Sequence, residues 1–128
     1  MSCYWRTYRG EVPVTTISEG LVSIREFTYS VERYMDKQSI LKAWSLVAPL
    51  ERQLNETCCS IKLCTRRGKP AVDIHSKVDI RLTRLDNNKV EVIVNRMFVI
   101  LLRYDYRELF RATLDIAQLD VILKYLKL

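Results

Sequence analysis

The single histidine, His75, is the first candidate for chemistry, because Asp73 precedes it by two residues. Residues two apart on a β-strand project to the same face, so this carboxylate could orient the imidazole. A hairpin register would place Ser60 opposite His75 as a nucleophile. A hydrolase would also need a preorganised oxyanion site, and the chain has no nucleophile-elbow sequence. We therefore expect a solvated sheet face at His75 and no enzymatic activity.

The cysteines are the second candidate, because three of the four lie within seven residues. Structural zinc sites favour close Cys-x-x-Cys pairs, which this chain lacks, and Cys59 and Cys64 would point to opposite faces of one strand. We expect reduced thiols that pack as small hydrophobes, with no metal and no cofactor. Metal binding by one set of residues is left open: Cys58, Cys59, Cys64 and His75.

A basic segment is the strongest functional lead. The net charge is +6, and residues 62–84 hold seven Lys and Arg against two Asp. The stretch Arg66-Arg67-Gly68-Lys69-Pro70 has one glycine and leads into a strand, so it is a basic turn and no phosphate-cradling loop. Such a patch can neutralise phosphates through salt-dependent contacts. The predicted nucleic-acid-binding residues are Arg66, Arg67, Lys69, Lys77, Arg81 and Lys62.

Aromatic residues near the N-terminus alternate with arginines in the stretch YWRTYR. Tyr4, Trp5 and Tyr8 have the composition of a surface that stacks on bases. The alternative is that they are core residues.

The C-terminal stretch VILKYLKL is apolar around nearly its whole circumference. A helix this apolar must be buried, either in its own core, which we prefer, or against a second copy. In the second case Ile122, Leu123 and Leu126 would form the interface of a homodimer or higher oligomer.

The candidate residues must be positioned by helices and strands. The first two predicted elements are short segments with β-strand propensity, residues 4–9 and 12–17. Pro13 predicts an edge position for the second. Residues 21–34 fit a helix or a strand, and we prefer the strand. Asp36 is a predicted N-cap for an amphipathic helix, which Pro49 should kink or restart.

From Thr57 the pattern changes to the period of two that is typical of strands. Pairing Thr65 with Pro70 places Leu63 opposite Val72, Ile61 opposite Ile74 and Lys62 opposite Asp73. A three-residue turn, Asp86-Asn87-Asn88, then places Leu82 opposite Val92 and Ile80 opposite Val94.

The last third of the sequence predicts a covered strand end and two helices. Residues 97–102 are apolar on both faces, so both faces should be covered. Asp105 with Glu108, and Asp115 with Gln118, have the spacing of helix capping boxes. We predict an α+β fold: an antiparallel β-meander of about four to six strands with helices packed on one face, in a single domain spanning residues 1–128.

Composition and motifs limit the class of protein. The longest apolar run is too short for a transmembrane segment, and the N-terminal residues lack the apolar core of a signal peptide. We expect an intracellular protein, cytoplasmic or nuclear. The order of elements resembles that of small matrix proteins of negative-strand RNA viruses: a strand, a tryptophan-bearing helix, a basic β-meander and closing helices.

Two functions follow as hypotheses. The first is a non-enzymatic basic protein that binds nucleic acid, RNA rather than DNA, or another acidic partner, and self-associates. The second is a matrix-like or accessory protein of viral type that acts as an assembly or adaptor protein, through homo-oligomers and contacts with proteins or a peripheral anionic membrane.

Overall fold

A computed structural model describes residues 5–15, 22–47, 50, 54, 59–86 and 88–126, with side chains from residue 30 onwards. The predicted kink at Pro49 and the side chain of Asn87 lie outside these residues.

The fold is built on one seven-stranded sheet whose strands follow one another in chain order. Each strand pairs antiparallel with the next except β2 and β3, which are parallel. The helix between these two strands lies in a connection long enough for a crossover. In chain order the strands are β1 (Trp5–Thr15), β2 (Val22–Glu32), β3 (Ser60–Arg66), β4 (Lys69–His75), β5 (Asp79–Arg84), β6 (Lys89–Ile100) and β7 (Arg103–Asp115).

The predicted β-meander and its registers are confirmed in the centre of the sheet. Thr65 pairs with Pro70 and Lys62 with Asp73. Leu82 pairs with Val92 across the predicted three-residue turn. The apolar residues of β3 to β6 therefore share one face, and a core forms there because every second side chain is removed from water.

The ambiguous segment 21–34 contains strand β2, as preferred, and the two predicted N-terminal strands form one continuous β1. β1 lies at the edge of the sheet. Pro13 pairs with Ile24 in that edge strand. An edge position tolerates proline because the missing N–H leaves no ladder partner unsatisfied.

Helix α1 (Lys37–Trp44) begins at the predicted N-cap, where the Asp36 carboxylate accepts a hydrogen bond from the Ser39 N–H at 2.7 Å. This bond lowers the pKa of Asp36. The apolar side of α1 contacts β3 and β4, and Ala43 and Trp44 are buried there.

The helix predicted at Asp105 is wrong, because residues 103–115 form strand β7. The Asp105–Glu108 spacing fits a capping box, but alternation along β7 and pairing with the whole of β6 determine the strand. The sheet therefore has seven strands, one more than the predicted maximum of six. Packing against a partner strand overrides a local helix signal of this size.

The prediction that both faces of residues 97–102 are covered is also wrong. Met97, Val99 and Ile100 are 49%, 64% and 54% exposed. They lie on the hairpin formed by the distal parts of β6 and β7.

The second predicted capping box is present at Asp115, whose N–H donates to Gln118 Oε1 at 3.1 Å. It begins a 3-10 helix (Ile116–Ile122) that continues as the short helix α2 (Leu123–Leu126). Leu119 and Ile122 are fully buried in the same core as the strands. Leu123 and Leu126 are partly buried against that core.

Candidate functional site

Two hairpin turns lie at the same end of the sheet, because the strands of a meander alternate in direction. One is the β3–β4 turn at Arg67-Gly68, and the other is the β5–β6 turn that includes Asp86 and Asn88. Together with α1 they border an open cleft of about 580 Å³, called the basic cleft below. Its lining residues are Lys42, Arg67, Gly68, Lys69, Pro70, Arg84, Leu85, Asp86 and Asn88.

The charge of the basic cleft is strongly one-sided, with four cations against the single acid Asp86. Several cations around one concave surface raise the local concentration of anions, since the low-dielectric walls concentrate their field. The cleft is therefore suited to an anionic ligand.

The β3–β4 turn presents Arg67 at the edge of this cleft. Arg66 pairs with Lys69, which leaves a two-residue loop. Both loop residues have positive φ, 56° at Arg67 and 74° at Gly68, as a type I′ hairpin turn requires. Glycine meets this requirement without strain, whereas Arg67 adopts a backbone conformation that asparagine would adopt more readily.

Two of the cleft cations, Arg67 and Lys69, form ion pairs with acidic side chains that a bound anion would have to compete with. Arg67 Nη2 lies 2.8 Å from Glu91 Oε1, but the Arg67 side chain is 60% exposed. Lys69 Nζ lies 3.4 Å from Asp86 Oδ1, and Asp86 is 91% exposed. An ion pair as exposed as Lys69–Asp86 contributes about 0–1 kcal/mol, so a phosphate can replace Asp86 at small cost. The Glu91 side chain is 25% exposed, so a phosphate can bind Arg67 through the guanidinium nitrogens that Glu91 does not engage.

Arg84 is held differently, through a neutral partner. Its Nη1 donates to the Ser45 hydroxyl at 3.0 Å, and that hydroxyl donates to the Lys42 carbonyl at 2.6 Å. This chain of bonds fixes the end of α1 against β5 while leaving the positive charge of Arg84 in place. Rigid placement lowers the entropic cost of binding an anion.

The structure divides the six predicted nucleic-acid-binding residues among three places. Arg67 and Lys69 line the basic cleft. Arg66 is turned onto the sheet face opposite the core, where it pairs with Asp73 and donates to Thr83 Oγ1. Lys62 and Arg81 lie in one cross-strand row of the same face with Asp73 between them.

Lys77 lies at the far end of the molecule from the cleft. It is in the turn between β4 and β5, and the seven residues of β4 span about 20 Å. Sequence proximity to Arg67 is therefore misleading for this residue, because a strand carries the chain from one end of the sheet to the other.

Lys42 and Arg84 belong to the cleft but were absent from the predicted set. Arg84 is the last cation of the basic segment, and its charge is a signal that could have included it. Lys42 lies in α1, 25 residues before Arg67 in the sequence. Only the packing of α1 against the sheet brings it to the cleft.

The predicted stacking residues lie at the limit of the described chain. Tyr4 is outside it. Trp5 and Tyr8 belong to β1, where the backbone pairs them with Glu32 and Tyr29. Their stacking role stays a prediction.

His75 has a different carboxylate partner from the one expected. Its Nδ1 lies 2.6 Å from Asp79 Oδ1 across the β4–β5 pair, while Asp73 is engaged by Arg66. The predicted pairing of Ser60 with His75 is confirmed in the backbone register. Among the described contacts, no hydrogen bond joins the Ser60 hydroxyl to the imidazole ring.

The cysteines do not assemble a metal site in the described part of the chain, where no three metal-binding side chains come together. Cys64 is a free, buried thiol, and burial raises its pKa to about 12. Cys59 is disulfide-bonded, so the expectation of reduced thiols is wrong for this residue. Cysteine spacing does not reveal which sulfurs the fold brings together.

No protein-family model, curated protein or solved structure matches the chain. Within the residues that the structure describes, no helix combines the length and apolar character needed to cross a membrane.

Proposed function

We propose that this protein binds nucleic acid, RNA in particular, through the basic cleft. The observation that carries the proposal is the convergence of four cations from three separate elements on one cavity with a single exposed acid. Lys42 comes from α1, Arg67 and Lys69 from the β3–β4 hairpin, and Arg84 from β5.

The cleft supports recognition of the phosphate backbone. Its cations are lysine and arginine side chains without an adjacent aromatic among the lining residues. Such contacts fix a nucleic acid in place without reading its bases. Binding is therefore expected to depend steeply on salt and weakly on sequence.

The proposal treats the chain as one α+β domain with its helices on one face of the sheet. The burial of Trp44, Leu119 and Ile122 in one core with the strands supports this arrangement. In such a domain the cleft is a rigid feature, since its three contributing elements share that core.

The test is fluorescence anisotropy of a labelled generic single-stranded RNA, with a DNA of the same sequence as the comparison. The cleft variant is Arg67→Gln/Lys69→Gln. The matched control, Arg103→Gln/Arg107→Gln, removes the same charge from exposed arginines at the opposite end of the molecule.

We expect the cleft variant to lose affinity for every RNA sequence, while the control retains most of it. Equal losses in the two variants would show that net charge alone attracts RNA and would overturn the cleft as its site. Absence of RNA binding by the wild type at low salt would overturn the proposal itself.

A further inference from the structure

The far end of the β6–β7 hairpin, residues 96–107, projects away from the rest of the sheet. Asn95 is the last β6 residue opposite β5, where it pairs with Asp79. The five β6 residues beyond it extend about 17 Å. A register shift between Val94 and Asn95 marks the start of the projection. Such bulges bend a strand and increase its twist.

The two faces of this projecting hairpin differ in chemistry. Directly paired residues share a face, and alternate residues change face. One face carries the pairs Met97–Tyr106 and Val99–Tyr104. Val99 and Tyr104 are 64% and 71% exposed.

The other face is basic. Arg96 pairs with Arg107 and Ile100 pairs with Arg103, and the pair Phe98–Asp105 lies between them on the same face. Arg96 lies over the Phe98 ring, 5.4 Å from its centroid, and it repels Arg107 directly opposite. Against these three arginines the projecting hairpin has one acid, Asp105.

The tip itself consists of two leucines in a conformation that leucine disfavours. Leu101 and Leu102 form the two-residue loop with φ of 49° and 65°, the positive values of a type I′ turn. Asparagine and glycine are the residues that such a turn favours. Both leucines are almost fully exposed, at 90% and 97%. Local backbone strain at side chains that the described residues leave almost fully exposed points to a contact outside the chain.

We propose that this hairpin is a docking finger for an anionic lipid membrane, into which Leu101 and Leu102 insert. The proposal does not depend on RNA binding, since the hairpin and the basic cleft lie at opposite ends of the molecule.

The arrangement matches the layers of a membrane surface. Tyr104 is two residues behind the tip, about 7 Å along the strand. Peripheral proteins bury apolar groups about 5–10 Å deep, and tyrosines favour the boundary at that level. Behind Tyr104, Arg96 and Arg107 reach the level of the anionic headgroups. Only the inward-facing backbone groups of the two strands pair with each other, so insertion is limited to the Leu101-Leu102 tip and the rest of the hairpin stays at the headgroup level.

Charge complementarity favours this occupant over a second copy of the chain. The finger is basic and the protein has a net charge of +6, so two copies repel at this surface. A bilayer with anionic lipids has negative headgroups for the arginines of the finger and an apolar interior for its two leucines.

The test uses the full-length protein in co-flotation with vesicles of phosphatidylcholine containing about a third phosphatidylserine, and with vesicles of phosphatidylcholine alone. The variant is Leu101→Asn/Leu102→Gly, which replaces the leucines with the pair that the turn prefers. We expect the hairpin to fold at least as well in the variant, and urea denaturation of the variant checks that a loss of binding does not come from unfolding.

We expect the wild type to bind the anionic vesicles more tightly than the neutral ones, and the variant to lose at least about tenfold in partitioning. Arg96→Gln/Arg107→Gln should reduce the preference for anionic vesicles while leaving the weaker binding to neutral ones. Equal binding by the wild type and the Leu101→Asn/Leu102→Gly variant would overturn the proposal.

Sedimentation velocity without lipid tests the alternative that the hairpin tip binds a second copy of the chain. If the wild type binds no vesicles but forms oligomers that Leu101→Asn/Leu102→Gly dissociates, the finger contacts a second copy and the membrane proposal is wrong.

Discussion

Cys64 and Arg66 are two residues apart on β3 and face the same side of the sheet, yet they differ in their access to water. Cys64 is 6% exposed and has a pKa raised to about 12, chiefly by desolvation. Arg66 donates to Asp73 and Thr83 within the sheet, and its side chain is 24% exposed. At the scale of single residues, two side chains on the same face of one strand can therefore have very different surroundings. Cys64 is shielded from water, whereas Arg66 is partly exposed and paired with Asp73.

Cys64 predicts a specific loss of stability at alkaline pH. Its pKa rises from the ordinary value of 9.0 to about 12 on folding, so between these values the unfolded thiol releases a proton that the folded thiol keeps. Stability from this group is complete below pH 9 and falls as the pH rises toward 12, with a slope approaching about 1.4 kcal/mol per pH unit. Urea unfolding from pH 8 to pH 11 measures it, with Cys64→Ala as the control. An unchanged slope in that variant would exclude Cys64 as its source.

Two of the sheet's hairpins use the same type of turn in different ways. The β3–β4 turn combines Arg67 with Gly68, whereas the β6–β7 turn uses two leucines. In both cases a side chain with no local preference for positive φ is exposed at the tip. At the scale of elements, both turns are less stable than an Asn-Gly turn would be, and in both the disfavoured residue has an exposed side chain.

The tip of the β6–β7 hairpin should therefore be easy to stabilise. Replacing Leu101-Leu102 with Asn-Gly relieves two unfavourable backbone conformations and loses almost no burial. The free energy of unfolding should rise by about 1–2 kcal/mol. Urea denaturation of the lipid-free protein measures the change. A decrease in stability would mean that the leucines pack within the chain.

The terminal segment gives a second prediction at this scale, since Ile122 has no exposed surface. Ile122→Ala should lower the free energy of unfolding by about 2–5 kcal/mol, because it leaves a cavity in the core. Leu123→Ala, at a partly buried neighbouring position, is the control and should cost less. If Ile122→Ala instead dissociated an oligomer without loss of stability, the interface predicted for Ile122, Leu123 and Leu126 would be correct.

Sequence patterns predicted the central elements well and the last third poorly, for physical reasons. Alternation from Ile61 to Val94 is clean because one face is buried, and the pairing of Lys62 with Asp73 matches the register. β7 was missed because its Asp105–Glu108 spacing imitates a helix start, whereas the determining interaction is pairing with β6 across the tip. The basic cleft was predicted only in part, because Lys42 reaches it through packing of α1 and not through sequence spacing.

The whole molecule has two ends with different chemistry. The basic cleft lies at one end, formed by turns and α1, and the apolar tip with its arginines projects from the other. Strands β3 to β6 connect the two ends as a rigid core, since their inward residues are fully buried. The two proposed contacts, a polyanion at the cleft and a membrane at the tip, therefore do not compete for the same surface.

The measurement that tests the cleft most directly is the dependence of RNA affinity on salt. The slope of the logarithm of the association constant against the logarithm of salt concentration counts the phosphates that the protein neutralises, at about 0.7 per phosphate of a single strand. We predict that Arg67→Gln/Lys69→Gln lowers the magnitude of this slope by about 1.4, and that Arg103→Gln/Arg107→Gln leaves it unchanged. A cleft variant with the wild-type slope would contradict phosphate binding at the cleft.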